Sequence, residues 1–407
     1  MRILYGVAGE GMGHATRSHA FLADLVGEHD VLIVASGRAH DYLAARFPQV
    51  REILGFSLAY GDNVIRRWDT VTQNLRGAVS GWPSQIRAYY EIASDFEPEV
   101  VVSDFEAFVL TVASRRRVPA ISVDNIMMLD RCVHDAGLIG DDILDFELAR
   151  QIARAKAPGL YWAVVPTFFR PPLRRPNTTL VAPVLREAVL AAVAEQGEHL
   201  LVYQTAQGSE TLVGALHETG LPCRVYGVRR DLEEDLRDGE LVFRPFSETV
   251  FLDDLRTAAA VIAGGGFSLL SECVYLHKPV LSIPVTGQFE QVLNARYLQK
   301  LGYGEYAEAP TPQAIGAFLG NLPAHRAALA GYRQHGNDEA LAALREQLAL
   351  VALEHAGTRR GRRALTAAAE AAAVSSRRPR RVPACSSATS ASCSRRAASA
   401  AALPCCR

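Results

Sequence analysis

The sequence predicts an α/β protein made of two doubly wound parallel-sheet domains, and three observations carry that prediction. Its 407 residues exceed what one core holds, since single cores seldom grow past about 250–300 residues. Strand-like and helix-like runs alternate through the first half, as they do where helices cover a parallel sheet. The alternation breaks at a proline-rich middle and then starts again.

Taken in order, the apolar run Ile3–Val7 reads as a strand, His14–Leu25 as a helix and Asp30–Ala35 as a strand. Short β-type runs around Val50–Tyr60 and a helical Gln85–Ser94 follow. Val100–Ser103 is a strand ending at Asp104, Phe105–Ser114 a helix, and Ala120–Val123 a strand ending at Asp124. The prolines of Phe169–Pro176 and Val181–Pro183 mark the expected interdomain connection. Beyond them His199–Thr205 is a strand, Ser209–Glu218 a helix, and Cys223–Tyr226 and Leu241–Arg244 are strands. The unit Val261–Ile283 is strand, glycine turn, helix and strand, and Ala340–Ala352 is a terminal helix expected to cross back to the first domain. The expected boundaries are 1–183 for the first domain, 184–197 for a linker, 198–356 for the second domain and 357–407 for a tail.

Composition excludes several classes. The net charge of −1 conceals an asymmetry, because residues 357–407 hold eleven arginines and a single acidic residue, Glu370. The preceding 356 residues carry the compensating acidic excess, which argues against nucleic acid as a partner. No run of 18 apolar residues offers a membrane span, and no signal peptide precedes the first strand, so a cytoplasmic location is expected. Of seven cysteines, Cys132, Cys223 and Cys273 stand far apart and lack metal-ligand spacing, so neither zinc nor a disulfide framework is expected. The tail is almost entirely Ala, Ser, Arg, Pro and Cys. It reads as a disordered inert segment, a basic arm or an out-of-frame translation product, and in each case stands outside the fold.

The most informative stretch is Val261–Asn294. An apolar strand meets Gly264, Gly265 and Gly266, which let the backbone approach a ligand, and the helix that follows offers free N–H groups and partial positive charge. Glu272 sits about 6 Å further along, at 1.5 Å per residue. A phosphate at the helix start and a ribose hydroxyl at Glu272 fit together, while Gln288, Glu290 and Gln291 supply hydroxyl-directed groups on the next loop. The layout suits a nucleotide-sugar. The plain alternative is a tight strand-to-helix turn with no ligand.

This pattern closely resembles the donor-binding half of inverting GT-B glycosyltransferases, in particular the family-28-like group that includes the peptidoglycan lipid-intermediate N-acetylglucosaminyltransferases. The resemblance spans roughly residues 1–345 and is most specific over Gly264–Asn294. It implies the GT-B architecture, two Rossmann-like domains facing across a cleft. It also implies a donor site in which the Gly264–Gly266 amides and Ser268 hold a diphosphate and Glu272 binds ribose. Phe246 and its neighbours would contact the base, and Glu290 and Gln291 the sugar hydroxyls.

The first glycine loop, Gly6-Val-Ala-Gly-Glu-Gly-Met-Gly-His14, opens the first helix. Its spacing is G-x-G-x-G, the third glycine of a dinucleotide fingerprint would fall on His14, and Ser36 and Gly37 stand where a ribose-binding acid is needed. In the resembled enzymes such a loop lies on the acceptor side, which places Gly9, Gly11 and Gly13 there. His14 is suited to act as general base because its ordinary pKa lies near neutrality; acceptor or phosphate binding and simple helix packing are the alternatives. Asp104 and Asp124 end apolar strands where open sheets bind ligands. Asp104 would orient His14 or act as the base, Asp124 would contact acceptor, and either could instead be a helix N-cap.

The function expected is inverting transfer of a hexosyl or N-acetylhexosaminyl group from a UDP-sugar to a glycan or lipid-linked hydroxyl in cell-envelope synthesis. No cofactor is expected, and the lack of a D-x-D triplet points to metal independence. A nucleotide-sugar 2-epimerase or hydrolase of the same fold, or a non-catalytic nucleotide-sugar-binding module, are the rival readings. Between Arg66 and Glu91, Arg66, Arg67, Arg76 and Arg87 are interleaved with Trp68, Trp82, Tyr89 and Tyr90, which suits either peripheral contact with an anionic membrane or a core with a solvated face.

Overall fold

The computed structural model describes residues 1–9, 11–53, 60–61, 64–65, 90–204 and 210–356. The tail and most of the Arg66–Glu91 segment lie outside the described residues.

In the first half, β1 (Arg2–Val7), α1 (Met12–Glu28), β2 (Asp30–Ala35), α2 (Gly37–Ala44) and β3 (Val50–Glu52) lead to a short antiparallel pair, β4 (Tyr60–Gly61) and β5 (Val64–Ile65). There follow β6 (Val100–Asp104), α3 (Ala107–Arg116), β7 (Ala120–Ser122), α4 (Met128–Arg131), α5 (Ala136–Ile139), α6 (Ile143–Lys156), β8 (Trp162–Pro166) and β9 (Thr178–Val181). Seven of these strands form one parallel sheet in the order β3-β2-β1-β6-β7-β8-β9. The order reverses between β1 and β6, and at such a switch point open sheets form a ligand crevice beyond their carboxyl ends. β1 and β6 are buried on both faces, which is why they read as unbroken apolar runs. Helix α1 buries Ala15, Ser18, Leu22 and Leu25, the three-to-four-residue spacing of one helical face.

The second half contains α7 (Glu187–Leu190), β10 (Leu200–Tyr203), α8 (Glu210–Thr219), β11 (Cys223–Tyr226), β12 (Leu236–Asp238), β13 (Leu241–Arg244), α9 (Glu248–Thr257), β14 (Ala260–Ala263), α10 (Phe267–Tyr275) and β15 (Val280–Ser282). It closes with α11 (Phe289–Lys300), β16 (Gly304–Tyr306), α12 (Pro312–Gly320), α13 (Leu322–Leu329) and α14 (Asp338–His355). Its sheet runs β12-β13-β11-β10-β14-β15-β16 and is parallel except for β12 at one edge. Two doubly wound sheets, as expected, are the result.

Two expectations need correction. The helix expected from Phe105 starts at Ala107, because Phe105 takes a positive φ of 56° and Glu106 caps the helix through the N–H groups of Phe108 and Val109. The Phe169–Pro176 stretch does not join the domains; it connects β8 to β9 inside the first sheet, and Thr178–Val181 is an edge strand. Helices α4–α6 were not foreseen.

Helix α14 returns to the first sheet. Its Ala340, Leu344, Leu348 and Val351 join the core of Ile3, Tyr5 and Val102, and Arg345 bridges Asp24 and Glu28 on α1 at 3.5 and 2.7 Å. A second tie is aromatic. Phe169 stacks on Tyr297 of α11 with centroids 3.9 Å apart, His134 Nδ1 is 2.9 Å from the Tyr297 hydroxyl, and Phe168 stacks on Phe267 at the start of α10. Arg296 of α11 donates to the carbonyls of Leu138 and Ile139 and to Asp142 at 3.0, 2.7 and 2.5 Å. Because Leu344 is fully buried, Leu344→Ala is expected to cost about 2–5 kcal/mol in denaturant unfolding. A cost below 1 kcal/mol would show that α14 is not part of the first core.

Candidate active site

The carboxyl end of β6 meets the second turn of α1. Because Glu106 caps α3, Asp104 is free of that task and turns toward α1, where His14, Arg17 and Ser18 lie three and four residues apart on one helical face. His14 Nδ1 is 2.7 Å from Asp104 Oδ1. Arg17 Nε and the Ser18 hydroxyl each donate to Asp104 Oδ2 at 3.0 Å, and Arg17 Nη2 also bonds Oδ1. Asp104 is fully buried. Burial alone would raise its pKa, but Arg17 and His14 beside it outweigh that and hold the carboxyl below its ordinary value. Arg17 Nη2 also lies 3.0 Å from Nδ1, but the closer anionic oxygen favours the proton on Nδ1, which leaves the Nε2 lone pair for chemistry. The His14 side chain is 16% exposed, and its ring stacks on Phe105 at 6.3 Å.

Gly11 starts α1 with φ +84°, a region that favours glycine. Across the cleft Gly266 starts α10 and is open, since a Cβ there would meet nothing within 4 Å. Neither helix start has a side-chain cap or an acidic residue in its first turn. The two starts touch: a Cβ on Gly13 would come within 2.3 Å of the Ser268 hydroxyl. Two uncapped helix starts, each with a partial positive charge, therefore lie against one another, which favours an anion beside them. Gly9 lets the first loop pass Ser36 at the end of β2, where a Cβ would meet the Ser36 hydroxyl at 2.4 Å.

The other candidates divide. Gly264 and Gly265 lie under α11: Gly265 N–H donates to Gln291 Oε1 at 3.2 Å, and a Cβ there would strike the Gln291 carbonyl at 2.3 Å. The same Oε1 accepts from Val285 N–H at 3.1 Å and the amide nitrogen donates to Gln288, so Gln291 clasps the loop with most of its hydrogen-bonding capacity and the Gly265 amide is spent within it. Glu290 accepts from Asn294 Nδ2 at 2.6 Å. Burial pushes its pKa up to about 7, with Asn294, His14 and Arg17 acting against that rise, so it faces the His14 cluster from the second domain. Asp124 is buried with both oxygens engaged, by the Ser122 hydroxyl at 2.5 Å and Met127 N–H at 3.1 Å, the pattern of a turn cap. Phe246 lies after β13, 57% exposed, its ring against Phe251.

Glu272 is met by a residue that sequence reading missed. Arg186, ahead of α7 on the chain joining the sheets, donates Nε to Oε1 at 2.8 Å and Nη2 to Oε2 at 2.9 Å. Arg17 and Ser18 were also missed, although their spacing from His14 on a predicted helix was a usable signal; Arg186 left none, since its partner is 86 residues away. Buried amide oxygens of Gln204 and Asn294 have no hydrogen-bond partner among the described residues, and Gln204 Oε1 lies 3.8 Å from the Cβ position of Gly264.

The raised pKa of Glu290 has a pH signature. A carboxyl whose folded pKa of about 7 exceeds its ordinary 4.5 stabilises the fold fully below the lower value and loses that contribution as pH rises through the higher. The stability of the wild type relative to Glu290→Gln is therefore expected to fall by up to about 3 kcal/mol between about pH 5 and pH 8. A difference that stays constant across that range in denaturant titrations would show that this carboxyl keeps its ordinary pKa in the fold.

The chain matches the sequence profile described as Glycosyl transferase family 1 over residues 1–323. Two uncharacterized glycosyltransferases, of Methanosarcina mazei and Methanosarcina acetivorans, are each 22% identical to it, over 347 and 354 residues, covering 77% of this chain and 88% of each relative. Among solved structures it is similar to UGT2 of Phytolacca americana, complexed with UDP-2-fluoro-glucose and pterostilbene (TM-score 0.56, 15% identity, 84% of this chain and 97% of that one). It is also similar to the spinosyn rhamnosyltransferase SpnG (0.51, 18%, 81% and 94%) and to MurG of Acinetobacter baumannii (0.51, 13%, 83% and 96%). The fold these structures share is the one described above, GT-B, with two Rossmann-like domains, and the protein belongs to glycosyl transferase family 1.

Proposed function

We propose that the protein is an inverting glycosyltransferase that moves a hexosyl or N-acetylhexosaminyl group from a UDP-sugar to a hydroxyl of a lipid-linked or glycan acceptor in the cell envelope, at the cytoplasmic face of the membrane. The observation that carries the reading is the His14–Asp104 pair set beside two uncapped, facing helix starts. The donor diphosphate sits between Gly266 and Ser268 of α10 and the start of α1. Glu272 takes the ribose, Phe246 and its loop the base, and Glu290 a sugar hydroxyl. The UDP-2-fluoro-glucose complex of the Phytolacca enzyme supports the donor class by analogy of fold, and the resemblance of Gly264–Asn294 to family-28-like enzymes supports the acceptor class.

In the reaction the acceptor oxygen attacks the anomeric carbon from the face opposite the diphosphate. Its O–H bond breaks and the proton passes to His14 Nε2. Asp104, held by Arg17 and Ser18, stabilises the imidazolium that results. The bond between the anomeric carbon and the phosphate oxygen breaks, and its electron pair leaves with UDP. The helix-start N–H groups meet the charge that grows on that oxygen, the electrostatic part of the catalysis. They fill the place that a divalent cation takes in metal-dependent enzymes, so a chelator is expected to leave the rate unchanged. Gly11, where a Cβ would meet nothing within 4 Å, leaves the acceptor room near His14, while the space at Gly9 and Gly13 is taken by Ser36 and Ser268.

A UDP-release assay with a donor panel against lipid and glycan acceptors tests this. His14→Ala is expected to lower kcat by ~10²–10⁴ with donor affinity nearly intact. Near-normal kcat with a raised acceptor KM would make His14 a binding group instead. Donor turnover without acceptor would favour a hydrolase or epimerase, and UDP binding without any turnover a binding module.

A further inference from the structure

Helix α6 turns an aliphatic row to the outside of the first domain. Its inner face is spent: Phe146 and Ala153 are buried, and the Phe146 ring packs on His134 and on Phe289 of α11. On the opposite face stand Leu144, Leu148 and Ile152, 82%, 44% and 49% exposed, with Gln151 and Ala155, also exposed, alongside. Steps of four residues keep the three aliphatic side chains in line along the helix. A single exposed leucine is ordinary, but a contiguous apolar row marks contact with a partner. The charges beside the row say which partner. Glu147 and Arg154, seven residues apart, line one flank, and Asp145 and Lys156, eleven apart, line the other; both spacings return to the same side of a helix. Within the chain, Glu147 meets Arg150 at 3.0 Å and Lys156 rests over the Phe105 ring at 4.0 Å. In each flank the acid comes first, and both pairs share one midpoint, between Arg150 and Gln151.

We infer that α6 is a homodimer contact, in which the α6 helices of two copies of this chain pack antiparallel about a two-fold axis through that midpoint. Between antiparallel helices each flank meets the same flank of the other copy, with its order reversed. Glu147 then faces Arg154 of the second copy and Asp145 faces its Lys156, while the leucines and Ile152 interleave on the axis. A parallel pair would set Glu147 beside Asp145 and Arg154 beside Lys156, like against like, so the charges also choose the orientation. A two-fold contact uses one patch twice and needs that patch to complement itself. This one does, in shape along the row and in charge on both flanks. A membrane surface calls for a basic surround, and here two acids border the row beside the bases. One pair of 14-residue helices covers less than the roughly 800 Å² per partner of a standard interface, so a micromolar dimer is expected. The inference is independent of how the cleft binds its donor.

The test is sedimentation equilibrium of the full chain over a range of concentrations, under reducing conditions because the tail carries Cys385, Cys393, Cys405 and Cys406. Wild type is expected to dimerise, and Leu148→Arg to remain monomeric with an unchanged melting temperature. Glu147→Arg and Arg154→Glu are each expected to weaken the dimer by ~10-fold or more, since each sets like charges together twice across the axis. Mixed in equal amounts, those two variants are expected to associate as tightly as wild type, within ~3-fold, because every flank contact is then acid against base. Recovery on mixing cannot come from a change in the fold of either variant, so it tests the contact itself. A wild type that stays monomeric overturns the inference; if it then pellets with vesicles of phosphatidylglycerol and phosphatidylcholine and Leu148→Arg does not, the row is a membrane contact instead. A dimer undisturbed by all three substitutions lies elsewhere on the surface and overturns it too. Weakening of both charge variants without recovery on mixing overturns the antiparallel two-fold arrangement.

Discussion

The close approach of two helix starts is the constraint on which this structure turns. α1 and α10 meet through Gly13 and Ser268, each presenting uncapped N–H groups and a partial positive charge of about half an electron. Left empty, that juxtaposition is unfavourable, since like partial charges face one another without a carboxylate to offset them. An anion turns the same geometry into an attractive site. A glycine at position 13 is what permits the approach, and the absence of acidic residues from both first turns keeps the site open to an external negative charge.

The rest of the architecture serves to hold the two starts in register. One tie is α14, which leaves the second half of the chain and buries its apolar face on the first sheet. The other is α11, whose Tyr297 stacks on Phe169 and whose Arg296 reaches the carbonyls of α5. The helix bearing Glu290 and Gln291 at one end is thus clamped to the first domain along its length. The start of α11, with Glu290, and the His14 cluster are thereby kept in a common frame.

Within that frame charge is arranged in two tiers. Buried Arg17 and Ser18 hold Asp104 anionic, and Asp104 fixes the His14 tautomer, so that a partly exposed imidazole presents Nε2. From the opposite wall Glu290, raised to about 7, adds a carboxyl that changes protonation near neutrality. Arg186 meets Glu272 as Arg17 meets Asp104: in each case a planar guanidinium, with its fixed fork of donors, bonds both oxygens of a buried carboxylate.

Much of this was legible in the residues. The alternation of apolar strands and amphipathic helices, interrupted once, determined two doubly wound sheets, because a parallel strand buried on both faces must be apolar throughout and its crossover helix must show a three-to-four-residue stripe. The two glycine loops, His14 and the acids after β6 and β14 were visible because local sequence dictates strand-to-helix turns. What the sequence could not determine was partnership. That Glu106 rather than Asp104 caps α3, that Gln291 spends its amide on the Gly265 turn, that Asp124 serves a turn, and that Arg186 meets Glu272 all depend on which groups burial brings within about 3 Å of one another. Such pairs join residues up to 86 positions apart, and no periodicity records them. Tertiary packing alone decided them, because desolvation obliges each buried polar group to take whichever partner the fold supplies.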